Sequence, residues 1–146
     1  MADSSDIDAA VVAMLGADST LLSYCPDGVY WDEAPPGSKR FVIVSLVDEL
    51  DEAVFGGRAI EDHLYLVKAV SLSTSGANLK EAAARIDVVL EDQPVGIGSP
   101  LSVAGYTWMD CHRERRVRFT EVDEDDPSLR WRHRGGEYRV QMSVNT

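Results

Sequence analysis

At 146 residues the chain has room for one domain (residues 1–146), and 45 % hydrophobic with 27 % charged residues is the balance of a folded globular protein. A formal net charge of −11 excludes a nucleic-acid binder of the usual basic-faced kind, and no apolar run is long enough to span a membrane as a helix. Cys25 and Cys111 stand in no metal or redox spacing and no secretory leader pattern opens the chain, which together fit a reducing cytoplasm.

Ser5 or Asp6 is placed to cap a first helix, on which Ile7, Val11, Met14 and Leu15 recur at helical spacing until Gly16. Asp18 or Ser19 then opens a short second turn through Leu21, Leu22 and Tyr24. Pro26-Asp27-Gly28 reads as a turn, Val29 to Trp31 as a short strand, and Pro35-Pro36-Gly37 as its stop. Phe41 to Val47 (FVIVSLV) is the strongest strand signal, apolar on both faces like a covered central strand. Residues 48–62 read as an acidic connection containing Gly56 and Gly57. His63 to Leu72 follows as a strand, with Leu64, Leu66, Val70 and Leu72 on one face and Lys68 interrupting it.

Ser75 is the expected N-cap of a helix whose face is marked by Leu79, Ala83, Ile86 and Leu90 and which Gln93-Pro94 ends. After the loop VGIGSP, Tyr106 to Val122 reads as a long strand or a bent pair, and DEDDPS breaks it. Tyr138, Val140, Met142 and Val144 alternate with Arg139, Gln141 and Ser143, the pattern of a half-buried strand. The order α-β-β-β-α-β-β predicts an α+β fold: an antiparallel-rich sheet with two main helices packed on one face.

The chemistry-bearing motifs are weak. A phosphate loop needs glycines that follow a strand and open a helix, whereas FGG follows acidic DELDEA and precedes a strand. The pair therefore predicts a hairpin with Phe55, Gly56, Gly57 and Arg58 at its tip. Gly96 and Gly98 lack the third glycine of a dinucleotide fingerprint. His63, His112 and His133 have no metal-type spacing and read as solvated or structural histidines. Cys111 and His112 are adjacent, so a strand points them to opposite faces and disfavours a local catalytic pair. The turn from Asp123 fails as a calcium loop, with Ser128 at the glycine position and Arg134 at the glutamate position. No catalytic residue, metal site or cofactor is expected, and an enzyme using Cys111 or His112 with a distant partner is the reading from another class.

Charge is unevenly spread. Residues 1–62 hold thirteen Asp/Glu against three Lys/Arg, while residues 113–146 hold eight Arg against seven Asp/Glu. Either the charges are simply solvated, or acidic and Arg-rich surfaces of identical subunits meet head to tail and close a ring. On charge alone, Arg113, Arg115, Arg116 and Arg118 are candidates to meet Asp48, Glu49, Asp51 and Glu52 of a neighbour. Trp108 and Trp131 among the arginines fit such a subunit contact better than a nucleic-acid surface in so acidic a chain.

GVYWDEAPPGSKRFVIVSLVDEL, then FGG, a strand ending in SLSTSG, an alanine-rich helix and a late strand pair resemble the tail-terminator (tail-completion) family of long-tailed bacteriophages, over about residues 7–144. That family has no catalytic signature; element order and turns carry the resemblance, with DEDDPS and WRHRGGE as elaborations. The resemblance implies a virion protein of the neck, at the top of the tail, assembled in the host cytoplasm as a homo-oligomeric, hexameric ring. Such a ring caps the major tail tube protein, stops its polymerisation and joins the tail to the head connector or stopper protein. DNA passes through its lumen without specific binding, no membrane or cofactor takes part, and no bond-making chemistry is done. A head-closure or connector-adapter protein of the neck is the alternative position.

Overall fold

The computed structural model of the chain describes residues 3–54, 57–73, 79–91 and 103–145, with side chains undescribed at 52–54 and 57–58. Among the described residues, three helices, α1 (Ser5–Gly16), α2 (Ser19–Tyr24) and α3 (Leu79–Glu91), accompany five strands: β1 (Val29–Trp31), β2 (Arg40–Val54), β3 (Gly57–Ser73), β4 (Tyr106–Val122) and β5 (Arg130–Val144). The strands form one sheet in the order β1-β2-β3-β5-β4. Only β1, beside β2, is parallel to its neighbour; the other three pairings are antiparallel. The expected α+β class holds, with α2 as a third, short helix.

All three helices pack on one face of the sheet. Ile7, Val11 and Leu15 of α1, Leu21 of α2, and Leu79, Ala82, Ile86, Val89 and Leu90 of α3 share a core with Val42, Val44, Tyr65, Val67, Val140 and Met142. Burying apolar side chains at about 25 cal/mol per Å² of surface removed from water makes this layer the main source of stability. On β3 the helix-facing set is Tyr65, Val67 and Ala69. The opposite set, chosen from the sequence for its leucines, faces away: Leu64 and Val70 are buried, whereas Leu66 and Leu72 are half-exposed beside Lys68.

The helix caps differ in part from expectation. Asp18 caps α2 as predicted, its Oδ2 accepting the Leu21 amide at 2.9 Å. At α1 the N-cap is Ser4 with no side-chain bond, and Asp3 Oδ1 instead accepts both the amide (3.0 Å) and the hydroxyl (2.8 Å) of Ser5. The predicted Ser75 cap, the Gln93-Pro94 stop and Gly96/Gly98 lie outside the described residues.

Strands β2 and β3 run further than their apolar cores. Pairing continues through Asp48↔Leu64, Asp51↔Glu61 and Glu52↔Ile60 to Val54↔Gly57, so residues 48–62 are a paired arm and not a connection. The hairpin predicted from the glycine pair is present, and its tip at Phe55 and Gly56 lies outside the described residues. A bulge between Leu46 and Asp48 inserts one residue and reverses the alternation. Even-numbered Val42 and Val44 point to the helices before it, and odd-numbered Glu49 shares the face of its pair partner His63 after it.

Strand β4 is one long strand with bulges between Trp108 and Asp110 and between Arg113 and Arg115. Strand β5 begins at Arg130, so WRHRGGE belongs to the sheet. Gly135 and Gly136 sit in mid-strand where a Cβ would meet the Val67 carbonyl oxygen at 2.0 Å and the Arg115 carbonyl oxygen at 2.8 Å, respectively.

Candidate assembly surface

Strand order decides where the two charged stretches lie. Strand β4, with Arg113, Arg115, Arg116 and Arg118, is one outer edge of the sheet. At the other edge, β1 pairs with Val42, Ile43 and Val44, so β2 beyond Val44 has no outer strand among the described residues. That open half carries Asp48, Glu49, Asp51 and Glu52. Asp48, Glu49 and Asp51 are exposed. Carboxylates and guanidinium groups thus occupy opposite edges of one sheet, about as far apart as strand order allows. A strand at a sheet edge directs alternate backbone groups outward; here the Glu49 and Arg113 amides are met by the carboxylates of Asp48 and Glu91.

The four arginines are not equivalent. Arg113 Nη1 donates to Asp87 Oδ2 at 2.5 Å, and its amide donates to Glu91. Arg115 Nη2 donates to Glu137 Oε1 at 3.0 Å. Arg116 and Arg118 are exposed and form no ion pair among the described residues. The sequence could not rank them, because Asp87 and Glu137 reach their partners across the helix layer and the β4–β5 register.

Beside α3 these side chains frame a cleft of about 220 Å³, lined by Ala83, Asp87, Arg113, Arg116, Arg118 and Arg134. Arg134 joins because it pairs with Arg118 across β5 and β4, which no local pattern in the sequence signals. One carboxylate among four guanidinium groups leaves the cleft attractive to further carboxylates.

The sheet face away from the helices is partly uncovered. Phe41, Ile43 and Val70 are buried there against Trp131 and Tyr30. A groove of about 320 Å³ extends past them to Lys68 and His133. His133 stacks on Phe119 with centroids 4.1 Å apart, and Lys68 Nζ stands 4.9 Å from the same ring. Burial, then the Lys68 charge, push His133 down to about 4.

Thiol chemistry finds no support. Burial pushes the Cys25 thiol up to about 11 and raises that of Cys111 as well, so neither is a thiolate near neutral pH. His112 is exposed on the face opposite buried Cys111, as alternation predicts. Among the described residues no helix is long and apolar enough to cross a membrane.

No protein-family model matches the chain, and no curated protein matches it. Among solved structures, a chain from a virion of a native gene transfer agent particle superposes with a TM-score of 0.63 at 23 % identity, over 96 % of each chain. A second solved chain, whose name describes no function, superposes with a TM-score of 0.55 at 12 % identity, over 99 % of this chain and 96 % of its own. At these identities the likeness is one of fold, and it extends over nearly the whole chain.

Proposed function

We propose that the protein is a structural subunit of a phage-like virion, and within that class a tail terminator that closes into a ring at the head-proximal end of the tail tube. The observation that carries this reading is the placement of the two charge sets on opposite edges of one sheet. A surface that complements a different surface of the same molecule generates head-to-tail assembly, and a ring results when the rotation closes. The fold shared with a chain of a gene transfer agent virion supports the virion class. The terminator position follows from the resemblance in turns and element order described above.

The edges also suit one another in direction. Strands β2 and β4 run antiparallel across the sheet, so a neighbour's β4 laid along β2 would continue the antiparallel pattern. Because β1 blocks Val42 to Val44, the neighbour can pair only with the distal half of β2. Arginines 113–118 stand level with residues 42–46 of β2, so a neighbour shifted along the strands to clear β1 would bring them toward Asp48, Glu49, Asp51 and Glu52, where charge-assisted bonds can form. The arm ending in Phe55, Gly56, Gly57 and Arg58 then projects toward the tube or the lumen. An acidic lumen would let DNA pass without adhering.

Native mass spectrometry of the protein, with and without tail-tube protein, tests the reading. A closed ring, hexameric by the resemblance and formed alone or on the tube, is the expected result. Monomers in both conditions would remove the ring. Binding to DNA-filled heads in preference to tubes would move the protein to the head-closure position in the neck.

A further inference from the structure

The bulge that turns Glu49 inward sets it directly across from His63, while Glu61, two residues before His63, shares the same face of β3. His63 and Glu61 are wholly buried. Their β5 partners Val140 and Met142 are buried as well, so the setting beside them is apolar. Within it, His63 Nε2 stands 3.6 Å from Glu49 Oε1 and 3.7 Å from Glu61 Oε1. The three donor atoms lie within 4.8 Å of one another.

A relay on the far side of the ring sets the tautomer. Tyr65 Oη donates to Asp8 Oδ1 at 2.5 Å, so its oxygen is left to accept from His63 Nδ1 at 3.1 Å. Burial, then the Asp8 bond, raise the Tyr65 phenol far above its usual range, which keeps that hydroxyl protonated. With the proton on Nδ1, Nε2 presents a lone pair toward the two glutamates, and it makes no hydrogen bond among the described residues. A fully buried imidazole nitrogen aimed between two carboxylates has the donor set of a metal ligand whose outer partner is already in place.

We propose that Glu49, Glu61 and His63 form a binding site for a divalent transition-metal ion of the zinc type, with Tyr65 and Asp8 orienting the imidazole. Zinc bonds of about 2.1 Å in a tetrahedron place donors roughly 3.4 Å apart, close to the two separations seen here. Three protein ligands leave a fourth position, and Glu49, about one-third exposed at 32 %, provides the side from which an ion and a water can enter. The ion would staple β2 to β3 at the root of the acidic arm and tie that root, through the relay, to α1. None of this depends on the ring.

The test uses untagged full-length protein, stripped with a chelator and titrated calorimetrically with Zn²⁺, with Mg²⁺ as the control for general attraction to an acidic surface. One Zn²⁺ per chain is expected, undisturbed by excess Mg²⁺, with a higher thermal midpoint than in chelator. Glu49→Gln lies at the open side of the site, where the fold tolerates it, and should weaken binding at least about tenfold; Tyr65→Phe should weaken it about tenfold through the lost outer bond. Co²⁺ should give visible absorption bands that Glu49→Gln and His63→Gln abolish. Absence of stoichiometric Zn²⁺ would overturn the proposal, as would equal binding by wild type and Glu49→Gln. An identical thermal midpoint in chelator and in Zn²⁺ would overturn it as well.

Discussion

Arg113 and Tyr138 share one carboxylate: the guanidinium donates to Asp87 Oδ2 and the phenol to Asp87 Oδ1, so β4, β5 and α3 are tied at a single point. The link separates arginines that hold the subunit together from arginines that remain for a partner. Arg113→Glu would place a second negative charge against a partly buried Asp87 and is expected to cost on the order of 1–3 kcal/mol of folding stability. Arg116→Glu with Arg118→Glu should leave the urea midpoint of the monomer nearly unchanged while abolishing the oligomer. Denaturation and sizing of both variants check the distinction; equal destabilisation by both would remove it.

Asp18 serves two elements at once. Its Oδ2 caps α2 and also accepts from Arg85 Nε at 2.8 Å, while Oδ1 accepts from Arg85 Nη2 at 2.8 Å. The Arg85 bond is the main cause holding this carboxyl below its ordinary range. Its contribution is therefore present above the usual aspartate range and is lost as pH falls through the lowered value. Asp18→Ala should cost about 1 kcal/mol for the cap alone, and the variant's stability should fall less steeply than wild type below pH 4, as equilibrium unfolding at several pH values would show.

His133 acts in a higher window. Its folded value near 4 lies below the ordinary 6.5, so between those values the unfolded chain binds a proton that the folded chain refuses. Stability is whole above about pH 6.5 and declines as pH falls toward 4, by on the order of 2 kcal/mol. His133→Gln should flatten the stability profile between pH 6.5 and 4. A variant profile as steep as wild type would assign the slope to other groups.

Gly135 permits a close approach of β5 to β3. An added Cβ at 2.0 Å from the Val67 carbonyl oxygen meets backbone, which cannot swing aside. Gly135→Ala is expected to cost about 1–3 kcal/mol, the range for overpacking, measured by thermal or urea unfolding. A neutral substitution would show that β5 can shift without loss.

How much of this was legible depended on whether a signal was local. The α1 stripe of Ile7, Val11 and Leu15, the Asp18 cap and the alternation of Tyr138, Val140 and Met142 are periodic patterns, and each appears where the sequence places it. The arm at 48–54 did not read as strand, because Asp and Glu have low strand propensity and only pairing with β3 holds them extended. Residues 130–136 were hidden in the same way by four charged or imidazole side chains and two glycines. His63 looked unremarkable because Glu49 reaches it across a bulge, fourteen positions away in the chain. The charge asymmetry was visible in the sequence, but the internal pairing of Arg113 and Arg115 required the register of β4, β5 and α3.

The arm gives a prediction separable from folding. Removing residues 55–58 and closing Val54 to Ala59 with a short turn shortens a paired arm whose last rungs are Ala53↔Arg58 and Val54↔Gly57. The shortened protein should unfold with the wild-type midpoint yet bind tail tubes more weakly in a co-sedimentation assay. Full tube binding would remove the arm from the docking surface.

Edge-to-edge joining is tested most directly by mixing two blocked subunits under the condition in which wild type closes. One carries Arg116→Glu and Arg118→Glu, the other Asp48→Arg and Asp51→Arg, so each retains one intact edge. Native mass spectrometry should find each variant monomeric alone, whereas the mixture should close into alternating one-to-one rings, because the intact edges attract and the two reversed edges carry swapped, again opposite, charges. Homo-oligomers of either variant, or a mixture that stays monomeric, would contradict the account.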